Sequence, residues 1–386
     1  MQFLNSLDYG IIAIYTLLVI GLGFYLHSRA SNSLEDYFLG GRKLPWWLLG
    51  CSGMASWFDI AGTMLICSFI YMLGPRAIFI EGFRGGAGLV LVFMLCFTGK
   101  WHRRSGCMTQ AEWMSYRFGS GAAGETARLL TAISSIVLVI GGLGYLVKGV
   151  GLFLSMFIPL SPFYCALIMV GVETVYTMFS GFYGVVFTDV FQAVIITIGA
   201  VVIAIMAFVT IPDVGSLAEV ASQITGNVDW TTSAPAWETT MPPGYTQYSM
   251  IGLLAIFYLF NTFIKGLHTG GDPKYFGARN EKECGLLSFM WNYLIMFRWP
   301  MMIGFATLGI YMIQRDIPDQ ASLTAAADLI KNAFPGIDKI QWSDQVANII
   351  HSGPDKFIEL KQGLTAILGD NWNNMLNLLS FEGTVN

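Results

Sequence analysis

Gly50-Cys-Ser-Gly-Met-Ala-Ser-Trp-Phe-Asp-Ile-Ala-Gly-Thr63 lies inside an apolar run from Trp46 to Leu73 and holds most of that run's small and polar residues. A helix rising 1.5 Å per residue crosses the ~30 Å hydrocarbon core of a bilayer in about 20 residues, so the run is long enough to span. Its middle is atypical for a span. Gly50, Gly53 and Gly62, the hydroxyls of Ser52 and Ser56, and the carboxylate of Asp59 all fall within it. Helical hydrogen bonding breaks easily at such a cluster, and a broken helix leaves backbone carbonyls and half-helix dipoles for ions and solutes. The same small residues also let a second helix approach closely. Asp59 tips the reading toward function, because a carboxylate inside a span costs at least a few kcal/mol.

The rest of the chain agrees with a lipid environment. Of 386 residues, 54% are hydrophobic, 14% aromatic and only 12% charged, with 43 glycines, and the mean hydropathy is +0.58. Soluble domains carry about 25% charged residues, so a soluble enzyme with a polar surface is excluded. A net charge of −4 without any basic block removes the electrostatic footprint that nucleic acid requires. Cys51, Cys67, Cys96, Cys107, Cys165 and Cys284 show no C-x-x-C spacing and mostly lie in apolar runs. They read as small hydrophobes, neither a disulfide framework nor a zinc site.

Eight stretches are predicted to span: 9–26, 46–73, 78–98, 129–158, 163–179, 185–211, 250–267 and 286–313. They make residues 1–314 a transmembrane core. The first is a retained helix rather than a signal peptide, since no cation precedes it, His27 and Arg29 follow it, and no small-residue cleavage site appears. With the N-terminus outside, the inner loops hold Arg29, Arg42 and Lys43, then Lys100, Arg103, Arg104, Arg117 and Arg128, then Lys265, Lys274, Arg279 and Lys282. The short outer loops contribute Arg76, and the Thr-, Ser- and Pro-rich segment 212–248 has no Lys or Arg. The positive-inside rule therefore orients an integral multi-pass protein, expected in the cell (inner) membrane. Residues 315–386 are more polar and are expected to form an extracytoplasmic region. There Leu323, Ala327, Ile330 and Phe334, then Phe357, Leu360, Leu364 and Ile367, recur at the spacing of short amphipathic helices.

Other ionisable groups fall in or beside spans. Glu81 and Arg84 share a helix face, either neutralising each other or lining a pathway. Asn261, Lys265, His268, Gly270, Gly271, Asp272 and Pro273 mark a second hydrophobic segment broken by Gly and Pro. Arg298 lies mid-span beside Pro300 with no local partner, and Asp189, Glu173 and Lys148 complete the set. His27, His102, His268 and His351 form no H-E-x-x-H; neither G-x-S-x-G nor a P-loop is present, so the chain is not expected to be an enzyme or an ATP-driven pump.

Three ordered motifs carry a resemblance. Asp36-Tyr-Phe-Leu-Gly-Gly-Arg-Lys-Leu-Pro-Trp-Trp47, the stretch YTMFSGFYGVVFTDVFQ from Tyr176 to Gln192, and Asp272-Pro-Lys-Tyr-Phe-Gly-Ala-Arg-Asn-Glu-Lys-Glu283 resemble the sodium:solute symporter family, over about residues 8–313. The resemblance implies an all-α polytopic membrane protein with the leucine-transporter-type bundle: a leading helix, then two inverted five-helix repeats, the second incomplete here. It further implies a Na⁺ site built from the backbone carbonyls of Ala55 and Phe58, with further ligands expected beyond Asn386, so that the chain reads as C-terminally truncated. It makes Asp189, in Thr-Asp-x-x-Gln, part of the inner ion route. Glu81 and Asn261 match substrate ligands of sugar-transporting members, and Arg298 lies near a basic substrate contact of some relatives. Trp57, Phe58 and Asp59 depart from the polar residues those members carry after the Ala-Ser pair. The expected function is Na⁺-coupled import of a small polar solute, such as a sugar, polyol or amino acid, by alternating access. Asp59, Glu81, Asn261 and Arg298 would orient the solute and Trp57 or Phe58 would cover it. An alternative from another class is a solute-sensing membrane input domain, with its output domain after residue 386.

Overall fold

A computed structural model describes residues 4–84, 88–211, 213–241, 245–269, 272–316, 320–353, 355–370 and 372–383, and among them the chain is helical with no β-strand. Helix α1 (Ser6–Ala30) opens on a capping box, with the Asn5 side chain accepting from the Leu7 and Asp8 N–H groups and Asp8 accepting from the Asn5 N–H. A short α2 (Leu34–Leu39) leads to α3 (Trp46–Trp57) and α4 (Ile60–Leu73), which are bent by 61° across a two-residue break. Next come α5 (Arg76–Arg84), α6 (Gly88–Ser105), α7 (Gln110–Phe118) and α8 (Ala122–Ser155). The stretch 78–98 is thus shared between α5 and α6, with residues 85–87 outside the described set.

Helix α9 (Pro162–Thr210) would be about 70 Å long if straight, more than twice the hydrocarbon thickness. It is broken at Gly181 (φ +52°, ψ −147°), between the stretches 163–179 and 185–211. Only glycine enters this backbone region readily, and a Cβ at Gly181 would stand 2.6 Å from the Tyr37 carbonyl oxygen.

Segment 212–248, expected as loop, contains α10 (Val214–Thr225). Asp213 caps it by accepting the Ser216 N–H at 2.9 Å, Gly226 ends it in the left-handed region, and Val220 and Ala221 pack on Trp230 and Ile310. Helices α11 (Ile251–Thr269), α12 (Pro273–Phe276), α13 (Glu281–Ile295) and α14 (Arg298–Asp316) follow. Gly270 and Gly271, the predicted second break, lie outside the described residues. The stretch 286–313 is interrupted at Met296 and Phe297, just before Pro300, which has no N–H to continue the ladder.

Helices α15 (Gln320–Ala333), α16 (Trp342–His351), α17 (Ile358–Leu368) and α18 (Trp372–Leu378) share their own core of Leu323, Ile330, Trp342, Ile349 and Leu364. They dock through His351, whose Nε2 lies 3.0 Å from the Ser155 carbonyl at the end of α8, and Lys339, 5.1 Å from the Tyr245 ring centre.

Two ends of the bundle are distinct. At one, the cation-bearing loops meet: Arg42 pairs with Glu35 and donates to the Gly106 carbonyl, Arg104 pairs with Glu281 at 2.6 Å, Arg103 donates to the Ala278 carbonyl, and Arg279 donates to that of Lys43. At the other, Arg76 donates to Thr239 and Trp230 to the Tyr71 carbonyl. Between them α1, α8, α9 and the run 281–313 are long and apolar enough to cross a membrane, and α3 with α4 passes the same test as one broken span. Leu130, Val137 and Ile140 project from α8 into the surroundings at 62%, 63% and 66% exposure, as expected of a helix whose solvent is lipid.

Candidate functional site at the helix break

Glycine brings α3 against α13. A Cβ at Gly53 would stand 2.3 Å from the Trp291 ring and one at Gly50 2.7 Å from the Met290 Cβ, so both positions require hydrogen. The helix ends at Trp57. Phe58 (φ −95°, ψ 64°) and Asp59 (φ −85°, ψ 150°) leave the helical region, with the Phe58 N–H donating to the Ala55 carbonyl at 3.1 Å. Asp59 is the N-cap of α4: its carboxylate accepts the Gly62 N–H, and the Thr63 hydroxyl donates back to the Asp59 carbonyl at 2.7 Å.

Arg298, at the start of α14, fills the break. Nη1 donates to the Trp57 carbonyl at 3.2 Å; Nη2 donates to the Asp59 carbonyl at 3.2 Å and to the Thr63 hydroxyl at 2.8 Å. The guanidinium lies 3.9 Å from the Asp59 carboxylate and 5.1 Å from the centre of the Phe58 ring. Each charge complements a helix end: the cation sits at the carbonyl end of α3 and the carboxylate at the N–H end of α4. The partner of Arg298 thus comes from another helix.

A second polar cluster lies toward the end where the cationic loops meet. Ser52 and Ser56, one turn apart on α3, face Asp189 of α9: the Ser52 hydroxyl donates to Oδ2 at 2.5 Å, and the Ser56 hydroxyl lies 3.5 Å from the same oxygen while donating to the Ser52 carbonyl at 2.8 Å. Lys274, buried on α12, donates to the Ser56 hydroxyl at 3.2 Å and lies 3.7 Å from Asp272 and 5.5 Å from the Trp291 ring centre. Trp291 in turn meets Trp57 edge-on at 5.0 Å. Gln192 of the Thr-Asp-x-x-Gln motif donates to the Tyr15 hydroxyl at 2.8 Å, tying α9 to α1.

The predicted residues Ala55, Trp57, Phe58, Asp59 and Arg298 are therefore gathered at one break, with Asp189 nearby through Ser52 and Ser56. Asn261 is half-buried on α11, and among the described contacts none joins it to the break. Glu81 and Arg84 lie on α5 with side chains outside the described set, as are those of Lys265 and His268. Lys274 was legible only as a loop cation, although Ser52 and Ser56 at i and i+4 announce a hydroxyl face. Among the described residues no three His, Cys, Asp or Glu side chains converge, so a cation here would be met by carbonyls, hydroxyls and single carboxylates. An open apolar cavity of about 240 Å³, lined by Phe79, Trp237, Gly252 and Leu259, lies away from this chemistry.

Three comparisons bear on this geometry. The profile of the sodium:solute symporter family matches residues 37–263. The sodium/mannose cotransporter SLC5A10 of Bos taurus is 30% identical over 222 residues, 57% of this chain and 36% of that protein. The sodium/myo-inositol cotransporter of Homo sapiens is 28% identical over 224 residues, 56% of this chain and 29% of that one. The chain thus spans about a third of the length of the curated relatives it matches. A solved structure described as the substrate-bound outward-open state of a Na⁺-coupled sialic acid symporter superposes with a TM-score of 0.65 at 19% identity, covering 97% of this chain and 72% of that one. At that identity the likeness is one of fold, the all-α leucine-transporter-type bundle.

Proposed function

The chain belongs to the sodium:solute symporter family, and from that premise we propose that it is a Na⁺-coupled secondary active symporter importing a small polar solute by alternating access. The observation that carries the reading is the 61° break between α3 and α4, placed inside an apolar span and lined by charge. Ala55 and Phe58 carbonyls hold Na⁺ there; each carbonyl oxygen has two lone pairs, so the Phe58 N–H that Ala55 accepts leaves room for an ion. Asp59 and Arg298, with Trp57, shape the solute side, and the family resemblance adds Glu81 and Asn261 as further solute-orienting residues. Asp189 serves the ion on its inner route. The relatives' names specify mannose, glucose and myo-inositol, which supports a polyhydroxylated solute.

Coupling follows from linkage. Na⁺ and solute both stabilise one conformer of the broken helix, so each raises the other's affinity by the same factor. The orientation with the N-terminus outside, residues 1–314 as transmembrane core and 315–386 as an extracytoplasmic region, rests on the gathering of the cationic loops at one end and on the positive-inside rule. A thermal-shift screen of sugars, polyols and zwitterionic metabolites, each with Na⁺ and with choline, tests the reading: a solute that stabilises the full-length protein only with Na⁺ is expected. Stabilisation equal in both salts for every binding solute would contradict it.

A further inference from the structure

Lys274 is a buried cation that lies outside the set of residues proposed to orient the solute. Its ammonium sits among the Ser56 hydroxyl, the Asp272 carboxylate and the face of Trp291, an environment of oxygen and π ligands that suits any monovalent cation. Ser56 is shared: the hydroxyl that receives Lys274 also approaches Asp189, and it follows Ala55 directly in sequence. Lys274 belongs to α12, which follows α11, whereas Ser52 and Ser56 belong to α3 and Asp189 to α9. Its contact therefore bridges separate parts of the bundle. Unlike the forked guanidinium of Arg298, which is held by the Trp57 and Asp59 carbonyls and the Thr63 hydroxyl, an ammonium on a four-carbon stem is a point charge that can withdraw.

We infer that Lys274 is a tethered cation that competes with the transported ion for the Ser52–Ser56–Asp189 cluster, so that an ion moving inward from the break displaces it and releases α12 from α3. The inference rests on the Na⁺-coupled reading above. Two like charges within a few ångströms in a poorly solvated cluster repel strongly, so removing one strengthens binding of the other. By reciprocity, ion occupancy weakens the hold of Lys274 on α3 by the same factor.

The test reads the half-saturating Na⁺ concentration of the full-length protein from intrinsic tryptophan fluorescence, exchanging NaCl for choline chloride at constant ionic strength. Lys274→Gln is expected to lower that concentration about tenfold, whereas Lys274→Arg, which keeps the charge, is expected not to lower it. An unchanged or raised value in Lys274→Gln, with wild type still responding to Na⁺, overturns this inference alone; a wild type without any Na⁺ response overturns the symport reading with it. If Lys274→Gln does not fold, the comparison of Asp189→Asn with the double replacement Asp189→Asn, Lys274→Gln decides. The double replacement must bind Na⁺ more tightly than Asp189→Asn, and equal values overturn the inference.

Discussion

Asp59 and Arg298 form a pair whose structural role and proposed transport role separate by substitution. The Asp59 carboxylate caps α4 and faces the guanidinium that satisfies the Trp57 and Asp59 carbonyls. Asp59→Asn retains a cap acceptor but removes the charge, so uptake is expected to fall more than tenfold with little change in thermal stability. Asp59→Ala also removes the cap and should lose a further ~1 kcal/mol. Near-normal uptake by correctly inserted Asp59→Asn would assign the residue to capping alone. Arg298→Lys replaces a fork by a point charge, cannot reach all three acceptors together, and should lower both stability and uptake. Asp59 was legible in the sequence because a carboxylate inside an apolar span is conspicuous. Its partnership with Arg298 was not, since the two lie 239 positions apart and local spacing carries no trace of that contact.

In the element α3–α4 the small-residue run both admits a neighbouring helix and contains a helix break, at different positions. Gly50 and Gly53 admit Met290 and Trp291 of α13, while the break falls after them, at Phe58 and Asp59. Gly53→Ala is therefore expected to destabilise by roughly 1–3 kcal/mol through overpacking against buried Trp291. Gly141→Ala in α8, where a new Cβ meets nothing within 4 Å, should be neutral or stabilising. Thermal unfolding of the two variants checks the contrast. Gly181→Ala should be worse than either, since it adds a positive φ to a clash with the Tyr37 carbonyl. Apolar length made spans such as α1 and α8 readable. It could not show that 78–98 is divided between α5 and α6, because hydropathy sums over a window and is blind to local backbone breaks. Helix α10 was missed for a different reason: its Thr- and Pro-rich flanks masked the apolar periodicity of Leu217, Val220, Ala221 and Ile224.

For the whole molecule, the arrangement of charge is as informative as the apolar surface. The loops around Arg42, Arg103, Arg104 and Arg279 interlock at one end, whereas Arg76 and the segment after α10 meet at the other. In a cysteine-free background, exposed Ser233→Cys should react with an impermeant maleimide on intact cells, and exposed Ser120→Cys only after permeabilisation. The reverse pattern would invert the proposed orientation. The family was readable from the motifs at 36–47, 176–192 and 272–283, and the profile match over 37–263 covers the first two. The solute was not readable, because Asp, Asn and Arg donors and acceptors serve many hydroxylated and zwitterionic molecules alike. In the proposed cycle a Na⁺ gradient acting through the break drives accumulation. The most direct test is uptake, into proteoliposomes of the full-length protein, of a solute found to bind with Na⁺. Accumulation above equilibrium is expected with an inward Na⁺ gradient and mere equilibration when choline replaces Na⁺; equal accumulation in both conditions would contradict Na⁺-coupled symport.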